Sequence, residues 1–284
     1  MSHAQQFSNI DVPFMISQDQ RPTYIALHYW DKFNFKDTTF IQKNNRALQN
    51  SFNEFINILY AIPEIKAKEA LKNMIDKSQV EARMSGTFIQ LSEKFLYDPN
   101  SPYLNEEFYR VVVENALKQT SVPQTNKVRL NYQLGMMNKN RVQTQATDFK
   151  YTLNEGTTFN LYSLKADYVL LLFGNPECDA CKTTSAQLKK SVIINQFIKR
   201  NANQHKVFQI LTVYPDADLD LWRKHISSFD PEWINAYNKE QTVSKNSLYD
   251  LRAIPTLYLL DKNKTVLLKD AALPQIEFYL SRLK

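Results

Sequence analysis

The sequence Cys178-Asp-Ala-Cys181 constrains this chain more than any other feature. It follows a short apolar run, Tyr168 to Phe173. Cys181, Leu188, Val192, Ile193 and Phe197 then recur at helical spacing. A continuous apolar run of this length predicts a strand buried on both faces. The cysteine pair therefore lies between a buried strand and a helix start. At a helix start backbone N–H groups point outward and the helix dipole favours negative charge. The first sulfur is thus placed as a nucleophile. The second lies one turn deeper, where it can attack the first once a mixed disulfide has formed. The spacing predicts a dithiol exchange pair, with Cys178 exposed and attacking and Cys181 shielded and resolving.

Two other readings of the motif exist: half of a zinc site, or two incidental core cysteines. Zinc needs two further ligands. The chain has no other cysteine, and its histidines, His3, His28, His205 and His225, show no paired spacing. No metal is therefore expected. Two cysteines in 284 residues also exclude a disulfide-stapled fold. The four glycines, Gly86, Gly135, Gly156 and Gly174, are scattered. Phosphate loops need clustered glycines so that backbone amides can approach the ligand, so no nucleotide cofactor is expected. The net charge of +6 is shared evenly between the two halves, without a basic tail or stripe, so nucleic acid is not an expected partner. Tyr168 to Phe173 falls far short of the ~18 apolar residues of a membrane span. The start, Met1-Ser-His-Ala-Gln-Gln, lacks the basic and apolar parts of a signal peptide.

Two regions of different character follow. Residues 1–141 read as an all-α domain. Leu48, Phe52, Phe55, Ile56 and Leu59 repeat at threes and fours, and Ala67, Ala70, Leu71, Met74 and Ile75 continue beyond Pro63. Phe88 to Leu96 predicts a further helix, Asn105 caps the next, and Pro123 opens a last one towards Met137. The aromatic residues Tyr29, Trp30, Phe33 and Phe35 read as core. Residues 142–284 read as α/β. Thr152 to Phe159 predicts a hairpin turning at Gly156, and Val207 to Tyr214 a second buried strand. Helices are expected over Cys178 to about Lys199, Asp218 to Ile226, Asn246 to Leu251 and Pro274 to Leu283. Strands Thr256 to Leu260 and Thr265 to Lys269 form a last hairpin. The order implies a βαβ unit followed by ββα. Trp222 and Trp233 read as core.

From about Gln145 to the end the chain resembles a thioredoxin-fold domain of the TlpA/ResA-like thiol–disulfide oxidoreductases. The resemblance rests on Ala146-Thr-Asp-Phe149, the hairpin at Gly156, the strand Tyr168 to Phe173 with Asn175-Pro-Glu-Cys178-Asp-Ala-Cys181, Trp222, and Ile254-Pro255-Thr256 before a strand. The region Tyr29 to Asp37 resembles a helical domain of unknown function that precedes such domains in Bacteroidota. The first resemblance implies a cis peptide at Ile254-Pro255 and substrate binding along Ile254, Pro255 and Thr256. The chain departs from it at three positions: Leu172 stands where thioredoxin has a buried aspartate, Glu177 where it has a tryptophan, and Thr184 where ResA-type proteins have a glutamate. The usual proton acceptor for the deeper thiol is missing or comes from elsewhere. Glu177 and Asp179 flank Cys178, and two carboxylates oppose a sulfur anion that the helix end favours. These tuning groups predict a reductant or isomerase rather than a strong oxidant.

The expected function is that of an enzyme, a thiol–disulfide oxidoreductase acting on disulfide-bonded protein substrates and re-reduced by a membrane electron donor. The helical half would supply substrate binding, partner docking or association into a homodimer. The alternative is a binding protein in which the α/β half is scaffold and the helical half carries a ligand surface. A peroxidase would need a hydroxyl donor ahead of a lone cysteine, and Asn175 stands there instead. The resembled families are exported, which implies the periplasm or a lipid anchor facing it, with the export signal outside this sequence.

Overall fold

The computed structural model describes residues 10–39, 41, 45–202 and 205–283. Met1 to Gln6, read above for an export signal, lie outside the described residues. The chain divides into two compact units, Met1–Gly135 and Met136–Lys284.

The first unit is helical. Among the described residues it contains α1 (Arg21–His28), α2 (Asn45–Leu59), α3 (Glu64–Ser78), α4 (Ala82–Leu96), α5 (Glu106–Lys118) and most of α6 (Gln124–Asn138). Asn105 caps α5 by accepting the Phe108 N–H at 3.0 Å, which satisfies one of the amides that every helix start leaves open. The residues repeating along α2 and α3 are buried, as the 3.6-residue period requires. Tyr29, Trp30, Phe33 and Phe35 are buried too. The Trp30 ring stands edge-on to Phe88, with centroids 5.0 Å apart, and to Phe33 at 5.6 Å. Such edge-to-face pairs stabilise a core beyond the area they bury. The four rings of this cluster are packed in the core of the unit.

The second unit is a seven-stranded mixed sheet in the order β2-β1-β5-β4-β3-β6-β7. The strands are β1 (Lys150–Thr152), β2 (Thr158–Asn160), β3 (Tyr168–Phe173), β4 (Phe208–Tyr214), β5 (Ile234–Tyr237), β6 (Thr256–Asp261) and β7 (Val266–Leu268). β3 is central, parallel to β4 (Leu170 opposite Ile210) and antiparallel to β6 (Leu170 opposite Leu259). Its continuous apolar run has a direct cause. Val169, Leu171 and Phe173 enter the core on one face, with Tyr249 and Tyr258. Leu170 and Leu172 enter the core on the other, with Leu188, Phe197 and Ile276. Both faces are covered, so neither alternate position can be polar.

Three expectations need correction. The helix from Cys178 to Lys199 is two helices, α7 (Asp179–Lys190) and α8 (Val192–Lys199). Ser191 breaks it: its backbone is extended and its hydroxyl accepts the Ile194 N–H at 3.2 Å, capping a new start. The helix placed at Asn246 to Leu251 lies earlier, as the short α10 (Thr242–Lys245), following α9 (Leu219–Lys224). Asn238 accepts the Val243 N–H at 2.8 Å at its start. Ser247, at φ +47°, turns left-handed after its end, where a helix cannot continue. Finally β5, which pairs in parallel with β4, was not anticipated. The closing helix is α11 (Leu273–Ser281).

Candidate active site

Cys178 is the N-cap of α7, held at the carboxyl end of β3 by a turn. Asn175 builds that turn. Its side-chain oxygen accepts the Glu177 N–H at 2.9 Å, and its amide nitrogen donates to Asp216 at 2.9 Å, beyond the end of β4. A short polar side chain bonding the backbone two residues on is the usual device for such a corner. The Cys178 sulfur accepts the Cys181 N–H at 3.3 Å, in the place where a capping oxygen would sit. It also lies 3.7 Å from the Ile254 carbonyl oxygen. The Ile254–Pro255 peptide is cis. The Ile254 N–H has no hydrogen-bond partner among the described residues, so this edge of backbone is open beside the thiol. Thr256 is buried and its hydroxyl donates to the Ala253 carbonyl.

The two sulfurs differ in surroundings. Both are free thiols, Cys178 partly exposed and Cys181 buried. Burial first, and then the hydrogen bond with Cys178, pushes the Cys181 thiol up to about 12, against the pull of the Asn175 backbone N–H. Gly174 lies under this sulfur. A Cβ there would stand 3.4 Å from the Cys181 Sγ and 3.1 Å from a methyl of Leu172. The glycine thus leaves the space that the inner thiol and Leu172 occupy. Glu177 and Asp179 both face solvent, and Asp179 is paired with Lys182 at 3.3 Å. Exposure and this pairing screen the carboxylate next to Cys178.

Beside Cys181 the structure opens a cavity of about 270 Å³. Its walls include Leu172, Tyr214, Trp222, Phe229 and Trp233. Sequence reasoning placed the two tryptophans in the core, and they are buried, but they also line this space. It also missed Gly174 and Asn175 as parts of the site. Asn175-Pro176 ahead of the motif was the available signal for the turn.

The arrangement brings together Cys178, Cys181 and the backbone of Ile254, and sets Glu177 and Asp179 at the rim. Among the described residues no cluster of three or more His, Cys, Asp or Glu is placed to hold a metal. Chemically the site offers one accessible sulfur nucleophile, a second sulfur one helical turn away, and an open backbone edge.

Comparison with known proteins gives two family matches. A domain of unknown function, DUF5106, matches residues 1–140, and a model described as thioredoxin-like matches residues 166–266. A thioredoxin-like protein from Bacteroides caccae ATCC 43185 is 42% identical, with a TM-score of 0.92, over 98% of this chain and 99% of its own. The C-terminal domain of an uncharacterized protein from Bacteroides fragilis NCTC 9343 is 50% identical, with a TM-score of 0.48, over 50% of this chain and 99% of its own. A domain of a possible thiol-disulfide isomerase from Cytophaga hutchinsonii ATCC 33406 is 23% identical, with a TM-score of 0.42, over 51% of this chain and 95% of its own. No curated protein matches.

Proposed function

The chain belongs to the thioredoxin-like proteins, and within them we propose that it is a thiol–disulfide oxidoreductase that reduces or isomerises disulfides of exported proteins. One observation carries this reading: an accessible sulfur, Cys178, capped by the Cys181 amide and set against the open backbone of Ile254. Cys178, as thiolate, attacks one sulfur of a substrate disulfide. A Cys178–substrate disulfide forms and the other substrate sulfur leaves, taking up a proton. Cys181 then loses its proton and attacks the Cys178 sulfur. The Cys178–Cys181 disulfide forms and the second substrate thiol departs. The substrate has gained two electrons and two protons, and the pair is left oxidised. A membrane electron donor restores the dithiol. Ile254, Pro255 and Thr256 bind the substrate strand by backbone pairing at the open edge. Glu177 and Asp179 bias the pair away from strong oxidation, weakly because both are solvated.

Among the described residues no helix is long and apolar enough to cross a membrane. We place the protein in the periplasm or on a lipid anchor facing it, where its substrates reside. The scaffold alternative loses its main support, because the aromatic cluster that would have formed a ligand surface is buried.

The test is Cys181→Ser. The variant is expected to hold substrate proteins on Cys178 as mixed disulfides, released by dithiothreitol and identified by mass spectrometry, and Cys178→Ser to hold none. If the variant captures nothing and the wild type leaves insulin disulfides intact, the reading fails.

A further inference from the structure

The cavity beside Cys181 is more than a packing defect. One wall is the face of α7 that carries Lys182, Ser185, Ala186 and Lys189, spaced at i, i+3, i+4 and i+7. Ser185 and Ala186 are small, and so leave room between the helix and the segment from Ser228 to Trp233. The floor is the carboxyl ends of β3 and β4, at Leu172 and Val213. That is where open α/β sheets place their ligands. Trp222 and Trp233 are 1% and 8% exposed, yet neither indole N–H donates a hydrogen bond among the described residues. A buried indole ordinarily finds an acceptor. The cavity therefore offers an apolar interior walled in part by two indole rings.

Size and charge narrow the occupant. At about 270 Å³ the space is at the lower limit of small-molecule sites, which begin near ~300 Å³, and suits one large side chain. Its charged lining residues are Lys182, Lys189 and Asp230, an excess of cations. Lys189 bends over the Trp233 ring at 5.9 Å and donates to the Ser228 carbonyl at 3.3 Å, which holds it at the rim. Gly174, Asn175 and Pro176, which lead into Cys178, also line the space, so an occupant lies within a residue or two of the reacting sulfur.

We propose that this cavity is a specificity pocket for the substrate polypeptide: it takes one aromatic or large aliphatic side chain next to the disulfide cysteine, with the indole N–H groups of Trp222 and Trp233 donating to its flanking carbonyls and the lysines favouring an acidic neighbour. The pocket deepens the oxidoreductase reading and rests on it for its role. Burial of the side chain is what discriminates, since a large apolar group gains far more there than alanine.

The test uses a peptide series identical except at the residue beside a single cysteine: phenylalanine, leucine, alanine or lysine. Each is presented in two forms, as a symmetric disulfide for turnover and with serine replacing cysteine for binding. Binding is read by tryptophan fluorescence on the full chain carrying Cys178→Ser. The phenylalanine peptide is expected to bind and to be reduced at least ~10-fold better than the alanine peptide, the scale set by burying one ring. Ala186→Phe, which projects a ring into the space from the surface of α7, is expected to remove the preference, and the smaller Ala186→Leu to reduce it. Folding of each variant is checked by circular dichroism. Preference within ~2-fold for phenylalanine over alanine in both assays, or a preference that survives Ala186→Phe in a folded variant, overturns the pocket. Selective binding without turnover of any peptide upholds the pocket and overturns the oxidoreductase reading instead.

Discussion

Cys181 makes stability depend on pH in a definite direction. Folding raises its thiol from 9.0 to about 12, chiefly through burial. Below pH 9.0 both folded and unfolded chains keep the proton and the contribution is complete. Above it the unfolded thiol ionises first, so stability is lost progressively between 9.0 and about 12. In urea titrations the wild type is expected to lose up to ~1 kcal/mol per pH unit in this range beyond what Cys181→Ala loses. Parallel losses in the two proteins would show that the inner thiol is not sealed as described. Gly174→Ala probes the same spot from below. The added methyl meets Leu172 at 3.1 Å and Cys181 at 3.4 Å. Leu172 has to turn aside, and a destabilisation of ~1–2 kcal/mol is expected from its denaturation midpoint, as for other overpacked core sites.

At the scale of elements, Ser191 separates α7 from α8 and ties α8 to α11. Its hydroxyl accepts the Ile194 N–H and donates to the Glu277 carboxylate. Ser191→Ala removes both bonds and is expected to cost ~1–2 kcal/mol in thermal or urea unfolding. A loss below ~0.3 kcal/mol would mean that the cap contributes nothing measurable. The same elements show what was readable in the chain. β3 and β6 could be read because burial on both faces leaves a continuous apolar run in the residues themselves. α5 could be read because Asn105 and the acids after it mark its start. β5 could not. It is only four residues long, Ile-Asn-Ala-Tyr, and its strand character comes from pairing with β4, with Leu211 opposite Ile234. The cysteine pair was legible for a similar local reason: strand, turn and helix start are consecutive in the sequence. The cavity beside it was not, because Leu172, Ala186, Tyr214, Trp222 and Trp233 come from β3, α7, β4, α9 and a loop, and only the sheet order collects them.

At the scale of the whole molecule the question is where the α/β unit begins. The sequence suggests Val142; the compact units divide at Met136, within α6. The residues between these positions are anchored in the second unit. The Lys269 ammonium donates to the carbonyls of Met136, Met137 and Lys139, at 3.5, 3.4 and 3.0 Å, which satisfies the last acceptors of α6. Lys139 in turn donates to the Ser247 carbonyl at 2.6 Å. Asn140 is buried in a left-handed conformation, donates to the Leu248 carbonyl at 2.8 Å and accepts the Thr147 N–H at 2.7 Å. All three core clusters around the sheet are drawn from Ala146 and residues after it, so a fragment of residues 136–284 carries its whole core and these anchors. We predict that it folds cooperatively, with a single urea transition followed by Trp222 and Trp233 fluorescence. A fragment of residues 142–284 keeps the core and loses the anchors. It leaves Leu248 and Thr147 without partners and removes the carbonyls that Lys269 meets. At about 1 kcal/mol for each hydrogen bond, it is expected to unfold with a stability ~2–4 kcal/mol below that of the longer fragment. Equal stabilities would place the boundary at Val142, and an unfolded longer fragment would show that the α/β unit needs the helical one.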